Sequence, residues 1–191
     1  LSSPMARTDD LPTRLRKGPA DAPVKIVELS DVLCGHCQQF EKIFEQIEKM
    51  APEGRLSFEP RYFPLDSECN PSMTHTTGDG VRCLGAKIQI CLEDHSSYFD
   101  VRHELFENQA SLTREMVMQI AKKSGMKSDV LQACVDSPET AKKLADDIEF
   151  GKRFRLEGTP LIVLNGRVAP LSPVFLLGMV MAAGDVDADF F

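Results

Sequence analysis

Two cysteines in a Cys-x-x-Cys spacing stand where a short apolar run gives way to the periodicity of an amphipathic helix. Residues 24–29, before the pair, are mostly apolar and rich in β-branched side chains, which predicts a buried strand. After the pair, apolar side chains recur on one helix face, at Phe40, Ile43, Phe44 and Ile47. Cys34 and Cys37 therefore lie at the junction between a strand and the first turn of a helix that ends near Met50.

The chain continues with a second strand and a block of helices. Residues 56–63 are predicted to form the strand. Residues 66–156 form a helical block that begins with a polar loop over residues 67–80, and Thr113, Ser128 and Ser137 are suited to cap helices there. The helix after Ser137 is expected to bury one face, formed by Ala141, Leu144, Ala145 and Ile148.

Strands return after this block. Residues 160–164 are apolar, Asn165-Gly166 is a strong hairpin signal, and residues 167–169 supply the partner strand. Ser172 opens a final helix. The order predicts an α/β protein, namely a thioredoxin-like fold with a helical insertion between its βαβ and ββα halves.

With 191 residues, the chain fits a single domain that carries an insertion. We expect the thioredoxin-like domain over residues 18–65 and 157–184, the inserted helical domain over residues 66–156, a flexible extension over residues 1–17 and a frayed end over residues 185–191. The net charge of −7 argues against nucleic acid or an anionic membrane surface as a partner.

The strand–helix junction favours redox chemistry at the cysteine pair. Unpaired N–H groups and the positive end of the helix dipole stabilise a thiolate at Cys34. The intervening residues, Gly35 and His36, are expected to tune the pair, and a partly positive imidazole would lower the pKa of Cys34 further. Cys37 lies one turn into the helix, close enough for a disulfide but more shielded. Because the reduced form is stabilised, we expect an oxidising pair.

A Cys-x-x-Cys pair can instead be half of a zinc site, which requires a second pair of ligands. The other cysteines, at positions 69, 83, 91 and 134, are separated by 14, 8 and 43 residues, so there is no second Cys-x-x-Cys. A cluster of Cys69, His75, Cys83 and Cys91 would have irregular spacing. We therefore predict no metal and no cofactor, with zinc or an inert structural disulfide at residues 34 and 37 as less favoured alternatives.

Over residues 18–184 the chain resembles DsbA-like thiol:disulfide oxidoreductases. The resemblance depends on the segments GPADAPVKI at 18–26, ELSD at 28–31, CGHC at 34–37, and GTP at 158–160 followed by NG at 165–166. The helical insertion between the two sets of motifs matches as well.

The resemblance implies roles for three further residues. Pro160 would be a cis-proline facing the dithiol, and Thr159 would offer its backbone to a substrate chain. Glu28 would lie beneath the dithiol and relay the proton of Cys37. The alternatives are an ordinary trans proline and a carboxylate at the strand edge paired with a surface lysine or arginine. Thr rather than Val before the proline leaves oxidase versus isomerase open.

Four cysteines remain, and they allow three pairings. We favour Cys69 with Cys83 and Cys91 with Cys134, because buried thiols in an oxidising compartment tend to pair. A bond closing about 15 residues would contribute about 3 kcal/mol through chain entropy. Burial as free thiols is the alternative.

These observations lead us to expect an enzyme that exchanges disulfides with protein substrates, most simply an oxidase of exported proteins. The alternatives are an isomerase or reductase on the same scaffold and, more remotely, a redox-inactive or zinc-binding interaction module. The resemblance implies a quinone-linked membrane redox partner and a periplasmic or otherwise extracytoplasmic location. We expect a monomer, and a chain that starts at Leu1 is expected to be a mature form or an excised domain.

Overall fold

The computed structural model describes residues 12–156 and 158–187. These residues form four strands, seven α-helices and a short 3₁₀ turn, Gln109–Ser111. The strands are β1 (Val24–Ser30), β2 (Leu56–Tyr62), β3 (Leu161–Leu164) and β4 (Arg167–Ala169). The helices are α1 (Gly35–Met50), α2 (Val81–Cys91), α3 (Tyr98–Glu107), α4 (Arg114–Lys122), α5 (Ser128–Val135), α6 (Pro138–Lys152) and α7 (Pro173–Met181).

The strands form one mixed sheet in the order β2-β1-β3-β4. β1 is parallel to β2 and antiparallel to β3, and the hairpin predicted at Asn165-Gly166 joins β3 to β4. Both turn residues have positive φ, as a tight hairpin turn requires. The sheet with its inserted helices confirms the predicted fold class.

The sheet has a separate hydrophobic core on each face. On one face, α1 and α7 pack against Val24 and Ile26 of β1, and side-chain alternation places Glu28 on that same face. On the other face, the helical insertion packs against Leu29 and against Val163 of β3. The junction between β1 and α1 therefore lies between the two halves of the molecule.

The insertion approaches the sheet closely at two glycines. A Cβ atom added to Gly85 of α2 would lie 2.7 Å from a methyl group of Val32, and one added to Gly151 of α6 would lie 2.5 Å from the ring of Phe63. Val32 lies two residues after β1 and Phe63 directly follows β2, so these contacts fix where the helices rest on the ends of both strands.

Two sequence predictions about the insertion are wrong in detail. Ser128 is the first residue of α5 and forms no side-chain cap, whereas Thr113 and Ser137 cap their helices through their hydroxyl groups. In α6, Ala141 and Ala145 are exposed. The buried face is instead formed by Thr140, Leu144, Asp147, Ile148, Phe150 and Gly151. Helical periodicity predicted that the small apolar residues of α6 would be buried. The core instead contains the carboxylate of Asp147, which has buried ionic partners.

The ends of the chain are described in part. Residues 1–11 of the predicted flexible extension and residues 188–191 of the predicted frayed end lie outside the described residues. Within residues 12–17, Arg14 is bound to Glu93 and Asp147, and the backbone of Lys17 pairs with that of Phe58. The folded unit therefore begins before residue 18. Among the described helices, none has the length and apolar character needed to cross a membrane.

Candidate active site

The dithiol lies where the sequence predicts it, at the start of α1. Cys34 is the N-cap residue, and its backbone carbonyl accepts hydrogen bonds from the N–H groups of Cys37 and Gln38, both at 3.1 Å. Both sulfurs are free thiols. Cys34 is half-buried and Cys37 is completely buried, so Cys34 is the sulfur that a partner can reach.

The Cys34 thiol ionises unusually easily. Its pKa is lowered from 9.0 to about 5, first through a hydrogen bond with the Cys37 thiol and then, against the effect of burial, through the Thr159 side chain and the backbone N–H groups of Cys37 and His36. The sequence analysis attributed a tuning effect to the imidazole of His36. In the structure this side chain is exposed, and the contribution of His36 comes through its backbone.

Cys37 has the opposite character. Burial raises the pKa of its thiol strongly, and the hydrogen bond with Cys34 and the charge of Glu28 raise it further. The Asp31 N–H group points at the Cys37 sulfur from 3.5 Å. One member of the pair is thus a thiolate near neutral pH, while the other retains its proton.

The peptide bond between Thr159 and Pro160 is cis. The Thr159 carbonyl oxygen accepts a hydrogen bond from the Cys34 thiol at 3.1 Å. The Thr159 hydroxyl is buried and has no hydrogen-bond partner among the described residues, but it lies close enough to lower the pKa of both thiols. The loop that opens β3 is therefore in direct contact with the dithiol, although 125 residues separate Thr159 from Cys34.

Glu28 is completely buried on β1. One of its carboxylate oxygens accepts a hydrogen bond from Arg102 at 2.5 Å, and the other has no partner among the described residues. Burial raises the pKa of Glu28 to about 8, against the opposing effect of Arg102. The alternative of a strand-edge carboxylate paired with a surface residue is wrong, because the arginine that Glu28 contacts is itself fully buried.

Arg102 is a site residue that the sequence analysis missed. Besides Glu28, its guanidinium binds Glu41 of α1 at 2.9 Å and packs 4.8 Å from the centre of the Phe106 ring. The signal for it was present, because Arg102 interrupts an apolar stripe formed by Tyr98, Val101 and Leu105 at helical spacing. A charged residue in such a stripe indicates a buried partner, here Glu28.

Asp31 anchors the turn before the dithiol, and the sequence analysis assigned it no role. Its buried carboxylate accepts hydrogen bonds from the N–H groups of Leu33 and Leu65, both at 2.7 Å, and from Arg82 of α2. Burial raises the pKa of Asp31, and these donors oppose that effect. Asp31 thus joins the active-site turn to the inserted helices.

The other four cysteines form two disulfides, in the pairing that the sequence analysis favoured. Cys69 is bonded to Cys83, and Cys91 is bonded to Cys134. The first bond ties the loop after β2 to the start of α2, and the second ties the end of α2 to α5.

A thiol that ionises readily beside one that does not is the arrangement that disulfide exchange requires, because one sulfur serves as nucleophile and leaving group while the other is held in reserve. Here the pair lies between the end of a central strand and a cis-proline loop, and Cys34 is the sulfur that a partner can reach. Fold and site together define a thiol–disulfide oxidoreductase with a thioredoxin-like fold.

Comparison with known families agrees with this class. The family model described as thioredoxin matches residues 10–174, and the chain belongs to that family. Together with the relatives below, this confirms the resemblance noted in the sequence: the chain is a DsbA-like thiol–disulfide oxidoreductase.

The chain is similar to a curated protein and to two solved structures. Disulfide bond formation protein D of Bacillus subtilis is 28% identical over 159 residues, which cover 79% of this chain and 67% of the relative. The structure of oxidised BdbD from Bacillus subtilis aligns with a TM-score of 0.73 at 22% identity, covering 95% of this chain and 96% of that one. Alpha-DsbA1 of Wolbachia pipientis aligns with a TM-score of 0.70 at 20% identity, covering 92% and 96% respectively. The two structures support the fold.

Proposed function

We propose that this chain oxidises thiols of exported proteins by transferring the Cys34–Cys37 disulfide to them. The observation that supports this proposal best is the opposite ionisation of the two thiols, with a pKa of about 5 for Cys34 and a strongly raised pKa for Cys37. A thiolate that is stable when released makes the enzyme disulfide easy to reduce and therefore a good oxidant.

The reaction has two exchange steps. A substrate thiolate attacks the Cys34 sulfur of the oxidised pair, the Cys34–Cys37 bond breaks, and Cys37 leaves and takes up a proton. A second thiolate of the same substrate then attacks the substrate sulfur of the mixed disulfide and expels the Cys34 thiolate. The substrate loses two electrons and gains a disulfide, while the enzyme pair ends reduced.

Glu28 and the cis-proline loop have supporting roles in this proposal. With a pKa raised to about 8, Glu28 keeps a proton near neutral pH that it can exchange with Cys37. Thr159 lies beside Cys34, where its backbone can pair with an extended substrate segment as a strand does, and Pro160 fixes the loop.

Trapping of the mixed disulfide tests the mechanism. A Cys37→Ala variant, incubated with reduced cell extract in the presence of a mild oxidant, should accumulate covalent adducts through Cys34, because the second sulfur that would release them is gone. The control is Cys34→Ala, which keeps the buried thiol but should form no adducts. Absence of adducts through Cys34, read by non-reducing gels and mass spectrometry, would contradict the exchange mechanism.

The direction of the reaction is tested separately by the reduction potential. A potential of about −120 mV is typical of a strong oxidase, and a potential of about −270 mV is typical of a reductase. We expect the first range, because stabilisation of the Cys34 thiolate favours the reduced form. The chain has no tryptophan, so the redox state is best read from mass shifts after alkylation. A potential near the reductase value would favour the isomerase or reductase alternative.

Location and partners follow from the same proposal. Two disulfides outside the dithiol are typical of proteins that work outside the cytoplasm. The name of the Bacillus subtilis relative, disulfide bond formation protein D, also supports a role in oxidising other proteins. We expect a periplasmic or otherwise extracytoplasmic monomer that a quinone-linked membrane partner reoxidises.

A further inference from the structure

The turn that carries Cys34 is held from two sides. On one side, Asp31 holds the turn through two hydrogen bonds. Its backbone carbonyl accepts one from the Cys34 N–H at 3.0 Å, and its carboxylate accepts one from the Leu33 N–H at 2.7 Å. From the side of the insertion, a single amide group reaches the same turn. The Gln109 side-chain nitrogen donates to the carbonyl oxygens of Val32 at 2.9 Å and of Cys34 at 2.8 Å.

Gln109 is distant from the dithiol in the sequence. Gln109 belongs to the 3₁₀ turn that follows α3, and 75 residues separate it from Cys34. Its amide nitrogen carries two N–H donors, so each carbonyl can be given one of them. A neighbouring bond crosses the same junction in the opposite direction, because the Gln38 side chain donates to the carbonyl of Phe106 at 2.6 Å.

We propose that Gln109 is a positioning residue of the dithiol: from the inserted helices, its amide fixes the turn of residues 32–34 and thereby the place of the Cys34 sulfur. This inference rests on the function proposed above. The sulfur is stabilised as a thiolate by short-range donors, namely the Cys37 thiol, the Thr159 side chain and the N–H groups of Cys37 and His36. Hydrogen bonds weaken steeply with distance and angle, so a small shift of the turn weakens all of them together.

Two substitutions of Gln109 test the proposal. Gln109→Ala removes both donors, and Gln109→Glu keeps the size of the side chain but offers the two carbonyls a carboxylate instead of an amide. Both should raise the pKa of the Cys34 thiol. A rise of half a unit to one unit makes the thiolate about three- to tenfold scarcer at a pH below that pKa. The measurement is the rate of alkylation of Cys34 by iodoacetamide against pH in the reduced protein, with ultraviolet absorbance of the thiolate as a second readout.

The matched control is Gln38→Ala, which breaks the neighbouring hydrogen bond to Phe106 without touching the turn. It should lower the melting temperature but leave the alkylation profile of Cys34 in place. The proposal is overturned if both Gln109 variants titrate like the unsubstituted protein, or if Gln38→Ala shifts the profile equally. If Cys34 of the unsubstituted protein already reacts like an ordinary thiol, the proposed function fails instead.

Discussion

Burial raises the pKa of Glu28 from its ordinary value of 4.5 to about 8, although Arg102 acts in the opposite direction. Between these two pH values the folded protein holds a proton that the unfolded chain has released. The contribution of protonated Glu28 to the free energy of unfolding is therefore fully present below about pH 4.5. It is lost as the pH rises through about 8. A difference of this size corresponds to about 5 kcal/mol at most.

Glu28→Gln should abolish this part of the pH dependence, because the amide does not ionise. We expect the free energy of unfolding of the reduced protein to fall less steeply between pH 5 and pH 8 in the variant than in the unsubstituted protein, within the window set by the shifted pKa. The measurement is urea unfolding across that range, with glutathione to reduce the active-site dithiol and spare the structural disulfides.

The control for this prediction is Glu41→Gln, which removes the other carboxylate that Arg102 binds. It should keep most of the pH dependence, since Glu41 is partly accessible to solvent whereas Glu28 is completely buried. Equal slopes for Glu28→Gln and the unsubstituted protein would show that Glu28 does not titrate in this window.

At the scale of the elements, α2 rests directly on the active-site turn. The Gly85 backbone leaves no room for a side chain there: an added Cβ atom would lie 2.7 Å and 3.2 Å from two atoms of Val32, which is only 3% exposed. Gly85→Ala should therefore lower the free energy of unfolding by about 1–2 kcal/mol, because the cost of overpacking outweighs the gain in helix propensity.

Gly35→Ala is the matched control, because an added Cβ atom at this first residue of α1 would meet no atom within 4 Å. It should leave the stability unchanged or raise it slightly. Urea unfolding of both variants measures the difference. If Gly85→Ala proves as stable as Gly35→Ala, then α2 does not press on Val32 as the structure indicates.

The elements themselves could be predicted largely from the sequence, because their signals are local. The β1–dithiol–α1 junction follows from a β-branched run and a helical stripe, and the hairpin follows from Asn165-Gly166. The site could be predicted only in part. Arg102 reaches Glu28 across 74 residues of chain, and Gln109 reaches the backbone of Cys34 across 75. No local pattern specifies which distant residue a folded insertion will place there.

For the whole molecule, the N-terminal segment is joined to both halves by buried charges. Asp147 of α6 accepts hydrogen bonds from Arg14 at 2.6 Å, from Arg61 of β2 at 3.1 Å and from the Tyr62 N–H at 3.2 Å. Arg14 also binds Glu93 at 2.9 Å, just after α2. Burial raises the pKa of Asp147 against the pull of both arginines. One carboxylate thus connects the sheet, the insertion and the segment before β1.

Asp147→Ala should therefore lower the free energy of unfolding by about 3 kcal/mol, because two buried arginines each lose one of the two carboxylates that they bind. The adjacent Asp146 provides the control, since it pairs with Lys142 on the exposed side of the same helix, where such pairs contribute less than about 1 kcal/mol. Because Asp147→Ala also removes one of the two carboxylates that hold Arg14, trypsin should cut after that residue faster than in the Asp146→Ala variant. Equal stability and equal cleavage in the two variants would mean that the N-terminal segment is held by other contacts.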